Sequence, residues 1–160
     1  MKLRHRHRLR RKEVAQLSDE IEKSLGISPF LEDQPLDRAH LPDFDVLIFK
    51  NTVVGMVFGD VPFLSIRGIL QFNPAKSFVE VDMGAVPYVT NGADVMAPGV
   101  TTADLALKKD GYAWVRDQNN KKPLAIVQML RPAEDIMVNP AGKAARNLHF
   151  VGDKLWCMEL

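Results

Sequence analysis

The chain has 160 residues, of which 46% are hydrophobic and 26% charged. That length accommodates one ordinary domain or two small ones, and the apolar fraction excludes wholesale disorder. No run of about 18 apolar residues is present to cross a membrane as a helix, and the charged N-terminus lacks the apolar stretch of a signal peptide. The single cysteine, Cys157, has no internal disulfide partner, so a reducing cytoplasm is the expected location.

The net charge of +1 conceals an asymmetry. Residues 1 to 12 hold seven Lys or Arg and no acid, which leaves a remainder of 14 basic and 20 acidic groups, net −6. A basic segment on a mildly acidic body suits a polyanion or an acidic partner surface, or is simply a solvated tail.

In chain order, Arg4-His5-Arg6-His7-Arg8 alternates with period two and predicts an edge strand whose long cations discourage pairing with other chains. From Arg11 the period changes: Val14, Leu17, Ile21 and Leu25 form one stripe and Gly26 stands at a C-terminal cap position, which predicts a helix. Residues 27–43, with Pro29, Pro35 and Pro42, read as a connecting loop. Phe44 to Phe49, Thr52 to Phe58 and Val61 to Ile66, separated by turn signals at Lys50-Asn51 and Gly59-Asp60, predict a three-stranded meander. Gly68 to Pro74 is a short helical or irregular joint.

The second half predicts short elements. Phe78 to Val81 is a strand ending at Asp82, a helix-capping type of residue. Gly84 to Thr90 is a short helix carrying Pro87, and Val95-Met96 is a short strand stopped by Pro98-Gly99. Tyr112 to Arg116 and Leu124 to Leu130 form a hairpin around Asn119-Asn120, followed by a helical turn from Ala133 to Val138. Leu148 to Val151 and Leu155 to Met158 read as a closing hairpin turning at Gly152-Asp153. So many short strands suggest a compact barrel.

The most specific stretch runs from Val81 to Val100: two Gly-Ala pairs, eight residues apart at Gly84 and Gly92, bracket the short helix, and Pro98-Gly99 follows. On the residues alone, this says that a tight helix–turn–strand is being built. As a whole the stretch resembles a PUA domain, the small RNA-binding barrel of pseudouridine synthases and archaeosine transglycosylases. Pro62 to Arg67, Ala133 to Ile136 and Asn147 to Trp156 extend the resemblance to the malignant-T-cell-amplified-sequence family, which joins a pre-PUA domain to a PUA domain, and the chain resembles an archaeal-type relative. The resemblance implies an α+β fold with a small pre-PUA domain, a helix on a β-meander, over residues 1–76 and a PUA pseudo-barrel over residues 77–160. Its N-terminal region looks shorter than in the eukaryotic proteins.

The family groove, carried onto this chain, falls on Gly84, Thr90, Asn91, Gly92, Ala93, Asp94, Val95 and Met96, where exposed N–H groups and small residues let a phosphate or base approach the backbone. Asn91 before Gly92 is equally ordinary turn chemistry, and Met96 reads as core. Arg4, Arg6, Arg8, Arg131, Lys143 and Arg146 are further candidate RNA contacts, and Lys108, Lys109, Lys121 and Lys122 are basic surface positions. Trp114 and Trp156 fall in strand-like runs and are expected in the core rather than stacked on bases.

The pattern offers little to catalysis. His5 and His7 have no neighbouring ligands, His149 lies between Leu148 and Phe150, and Cys157 sits in an apolar segment where an inert thiol is expected. There is no phosphate loop of the Gly-Lys-Ser type and no paired acid and base. No catalytic, cofactor or metal role is expected from these residues, and the resemblance implies a non-catalytic RNA-binding protein of translation. Its partners would be tRNA or ribosomal RNA, the small ribosomal subunit and a translation factor, with no membrane involved. The alternative is the RNA-targeting subunit of an RNA-modifying complex, a pseudouridine synthase or tRNA transglycosylase.

Overall fold

The Arg-His alternation forms strand β1 (Arg4–Arg8), all five residues of which are exposed, at the edge of a five-stranded sheet in this computed structural model, which describes residues 1–160. The chain divides into two units, residues 1–75 with 157–160, and residues 76–156. No helix is long and apolar enough to cross a membrane.

In the first unit β1 pairs with β2 (Asp37–His40), which pairs in turn with β3 (Asp45–Phe49), β4 (Thr52–Phe58) and β5 (Val61–Leu64), every neighbour antiparallel. The expected meander is present, but it has five strands rather than three. β2 lies inside the segment read as a connecting loop. Only Ala39 of its four residues is buried, so its hydrophobic pattern is faint. Cross-strand charge holds it instead. Asp37 accepts from Arg6 Nε (3.0 Å) and Arg8 Nε (2.6 Å), and Asp45 pairs with Arg38 Nε (2.8 Å) and His40 Nδ1 (2.6 Å).

Helix α1 (Arg11–Leu25) follows the apolar stripe, ends at Gly26 with φ of 75°, and packs along β5. The Glu13 carboxylate accepts from the Arg10 N–H at its first turn (2.9 Å). Leu17 is only half-buried, and Ser18 occupies the buried position beside it, accepting from the Phe30 N–H (3.0 Å). The strand expected to reach Ile66 stops at Leu64. Ser65 caps helix α2 (Ile66–Phe72), its hydroxyl accepting from the Gly68 N–H at 3.1 Å, so Ile66 is buried from a helix.

The second unit is a six-stranded sheet in the order β7 (Val95–Met96), β11 (Lys143–Phe150), β10 (Pro123–Met129), β9 (Tyr112–Asp117), β6 (Phe78–Val81) and β8 (Val100–Ala103). β6 runs parallel to β9, and all other pairs are antiparallel. Helices α3 (Val86–Val89) and α4 (Ala133–Val138) bury Val89 and Ile136 in the core, where Val79, Val115, Val127 and Ala145 are also buried. The α+β class expected from the sequence is the class observed. Trp114 is in the core, its indole N–H donating to the Lys76 carbonyl (2.8 Å).

The end of this unit departs from expectation. β11 begins at Lys143, five residues earlier than the predicted strand, and Leu155 to Met158 form no strand. The Asp153 carboxylate accepts from the N–H groups of Phe150 (3.0 Å) and Trp156 (2.8 Å) and from His149 Nδ1 (2.8 Å). Those bonds wind residues 151–157 into turns and withdraw their N–H groups from a ladder. Cys157, expected in an apolar strand, is exposed.

Candidate nucleic-acid interface

The sequence between β6 and β7 builds a single helical turn closed at both ends. Asp82 Oδ1 accepts from the Ala85 N–H (2.9 Å), and Pro87 occupies the first turn, where a missing N–H leaves no bond unmade. At the far end the Ala93 N–H reaches back to the Tyr88 carbonyl (3.0 Å) and the Gly92 N–H to the Val89 carbonyl (3.1 Å). This is a Schellman arrangement that requires a left-handed residue, supplied by Gly92 at φ 93°. The Thr90 hydroxyl donates to the Val86 carbonyl (2.9 Å), so it is engaged by its own helix.

Strand β11 fastens this loop to the sheet. Asn147 Nδ2 donates to the carbonyls of Val89 (3.1 Å) and Ala93 (3.0 Å), while the Asn147 N–H donates to Asp94 Oδ1 (3.0 Å). Lys143 Nζ pairs with Asp94 Oδ2 at 3.1 Å. The Asn147 N–H is the chief cause of an Asp94 carboxyl below the usual carboxylate range; partial burial opposes it, and Lys143 and Arg146 add to the lowering. Asp94 is therefore anionic at neutral pH, and it offsets Lys143 rather than presenting charge to a phosphate.

The structure thus gathers Thr90 to Met96, Lys143 and Arg146 around one loop. Arg146 is exposed, and its Nη2 donates to Gln128 Oε1 (2.9 Å). Gly84 opens the helical turn and is also exposed. Met96, expected in the core, is 47% exposed opposite Lys143, because in a two-residue strand Val95 takes the inward position. Arg131 is bound to its own fold: its guanidinium donates to the carbonyls of Asn139 (2.6 Å) and Ala141 (2.6 Å) and pairs with Asp135 (2.8 Å). Arg4, Arg6 and Arg8 lie on β1 of the first unit, two of them paired with Asp37. Trp156 is half-buried.

Sequence reading passed over Tyr88, whose ring is 70% exposed on α3. Its signal was positional: once Val86 and Val89 face inward, a single helical turn must turn Tyr88 out.

A PUA domain model matches residues 78–151, the segment that holds this loop and its β11 support. A protein of Methanocaldococcus jannaschii is 32% identical over 158 residues, covering 98% of both chains. Translation machinery-associated protein 20 of Saccharomyces cerevisiae is 31% identical over 98 residues, which cover 58% of this chain and 54% of that protein. Malignant T-cell-amplified sequence 2 of Homo sapiens is 32% identical over 83 residues, covering 50% and 46%. The solved structure of a conserved PUA domain protein from Thermoplasma acidophilum superposes with a TM-score of 0.79 at 25% identity, over 94% of this chain and 96% of that one. The chain belongs to the archaeal-type PUA-domain proteins related to the malignant-T-cell-amplified-sequence family. The matches to the yeast and human proteins span about half of each.

Proposed function

We propose that this protein is a non-catalytic RNA-binding factor of translation, with residues 77–160 as its RNA-binding PUA domain and residues 1–76 as a pre-PUA domain. An RNA-binding, translation-related role is supported by the PUA match and by the relatives that carry translation-machinery names. The observation that carries the reading is the α3 loop: Gly84, Asn91, Ala93 and Met96 are exposed on one helix–turn–strand, with Gly92 half-buried and Val95 buried between them, and Asn147 and Asp94 fasten it to β11. Such a surface reads an unpaired nucleic-acid end through backbone groups and base faces rather than through a duplex groove. Lys143 and Arg146 supply cations at its margin, and Arg4, Arg6 and Arg8 supply backbone contacts from the first unit. Arg131 acts through the α4–β11 connection that it clamps.

The favoured RNA is tRNA, with ribosomal RNA of the small subunit as the second candidate and a translation factor as a protein partner. The reading is tested by measuring affinity for total tRNA at low and moderate salt, with intact and with trimmed 3′ ends. A salt-sensitive affinity that falls on trimming supports recognition of the acceptor terminus. Equal binding to both confines recognition to the phosphate backbone. Absence of binding at low salt overturns the reading.

A further inference from the structure

The chain has eight Phe, two Trp and two Tyr, and every one of these rings except that of Tyr88 is buried or half-buried. Tyr88 is 70% exposed. An aromatic side chain can remove roughly 150–250 Å² from water, so leaving this one outside forgoes a contact that the fold takes from all the others. The neighbours explain what it suits. Pro87 and Asn91 are exposed, Thr90 and Gly92 half-buried, and a Cβ placed on Gly84 would meet only Asp82 Oδ1, at 3.3 Å, within 4 Å. On the same helix–turn–strand, Met83 and Met96 are the other exposed large hydrophobics, and the remaining exposed positions are small or polar; a protein interface would be expected to present a broader apolar patch. An exposed ring on the helix whose following loop is fastened to β11, the strand that carries the exposed Lys143 and Arg146, matches a planar, charged polymer.

We propose that Tyr88 is a base-stacking platform for one unpaired nucleotide of the bound RNA, a specificity-determining residue for single-stranded ends over duplex. This rests on the RNA-binding reading above and adds the chemical class of what the loop takes: the face of a nucleobase rather than its edge. Stacking of this kind tolerates any base, so the preference is for an unpaired nucleotide and not for a sequence.

The test uses the full chain and two RNA hairpins, one with a short single-stranded 3′ tail carrying 2-aminopurine and one blunt. Tyr88→Phe keeps the ring and should bind the tailed RNA as the unsubstituted protein does, with the same quenching of 2-aminopurine. Tyr88→Ser should weaken tailed-RNA binding roughly 5- to 150-fold, abolish the quenching and leave blunt-RNA binding unchanged. Because the ring is exposed, the melting temperature serves as a control and should not move. If the unsubstituted protein binds RNA and Tyr88→Ser binds the tailed form equally well, the platform is overturned and the RNA-binding reading stands. An equal loss for both RNAs also overturns the platform. If the unsubstituted protein binds neither RNA, both readings fail together.

Discussion

Gly92 faces the ring of Phe150: a Cβ on Gly92 would lie 2.9 Å from Phe150 Cε1, and the backbone there holds φ at 93°. Steric contact and left-handed backbone coincide at one residue, so Gly92 is needed by the fold whatever it does for RNA. Gly92→Ala should destabilise by about 1–3 kcal/mol, read as a fall in the chemical-denaturation midpoint. An unchanged midpoint would show that Phe150 and the loop relax freely.

Gly84 is the cleaner probe of the same surface. It is exposed, its φ is not in the left-handed region, and the one atom a Cβ would approach is a carboxylate oxygen of Asp82. Gly84→Ser should shift stability by less than about 1 kcal/mol while weakening RNA binding. Unaltered affinity would remove Gly84 from the interface.

Asn147 carries the loop from beneath. Replacing it with alanine leaves the Val89 and Ala93 carbonyls without its donor, at a cost of about 1–3 kcal/mol. Asn147→Asp should be at least as damaging, because an anion would then face two carbonyl oxygens and Asp94. Hydrogen exchange of the Gly92 and Ala93 amides checks this directly, with faster exchange expected in both variants.

Salt and Asp37 test the basic strand. Roughly three to six phosphate contacts correspond to a log–log salt slope of about −2 to −5 for RNA binding. Replacing Arg4, Arg6 and Arg8 together by alanine should make that slope shallower by about 2 to 3. Asp37→Asn works in the opposite sense, releasing Arg6 and Arg8 from their carboxylate and raising affinity at low salt. The exposed ion pairs involved contribute at most about 1 kcal/mol each, so the fold should survive the change. A flat salt response, or weaker binding by Asp37→Asn, would remove β1 from the interface.

Acid should unfold the protein through its carboxylates. Burial raises the Glu80 carboxyl, but hydrogen bonds from Lys121 and Thr101 outweigh it and hold it below its ordinary value. At Asp117 burial is likewise outweighed, by the N–H groups of Asn120, Lys122 and Asn119, and at Asp153 by His149. Lowered folded values mean that the unfolded chain binds more protons as pH falls. Their contribution is complete above an unfolded pKa of about 4 and is lost as pH drops through the folded values. The denaturation midpoint should therefore be level above about pH 5 and fall steeply below 4, and Glu80→Gln should flatten part of that limb.

How much of this was legible depended on whether local pattern and tertiary pairing agreed. The α1 stripe, the β9–β10 hairpin and the glycine-flanked turn before β7 announce themselves because periodicity and turn chemistry point the same way. β2 did not: its stability comes from Asp37 and Asp45 meeting cations, some of them on a strand more than 25 residues earlier, and such pairings leave no local period. The closing turn misled for the opposite reason, since Leu155 to Met158 looks like a strand until Asp153 captures two backbone N–H groups. At the candidate site, the loop was visible in Gly84 and Gly92. Its geometry was set by Asn147, whose role depends on where β11 runs, and the outward turn of Tyr88 followed from the placement of Val89.

The order of strands has a consequence for assembly. The first sheet is threaded in sequence order, each strand pairing with the next, so it can be laid down progressively as the chain is made, although β2 must reach back across α1 to β1. The second cannot. Its α3 loop receives two of its key donors from Asn147, more than fifty residues later. A ribosome-bound nascent chain that has not yet delivered β11 therefore carries a finished basic edge strand but an unfinished loop. On the proposed function, such an intermediate would attract RNA by charge before its loop could select an unpaired end.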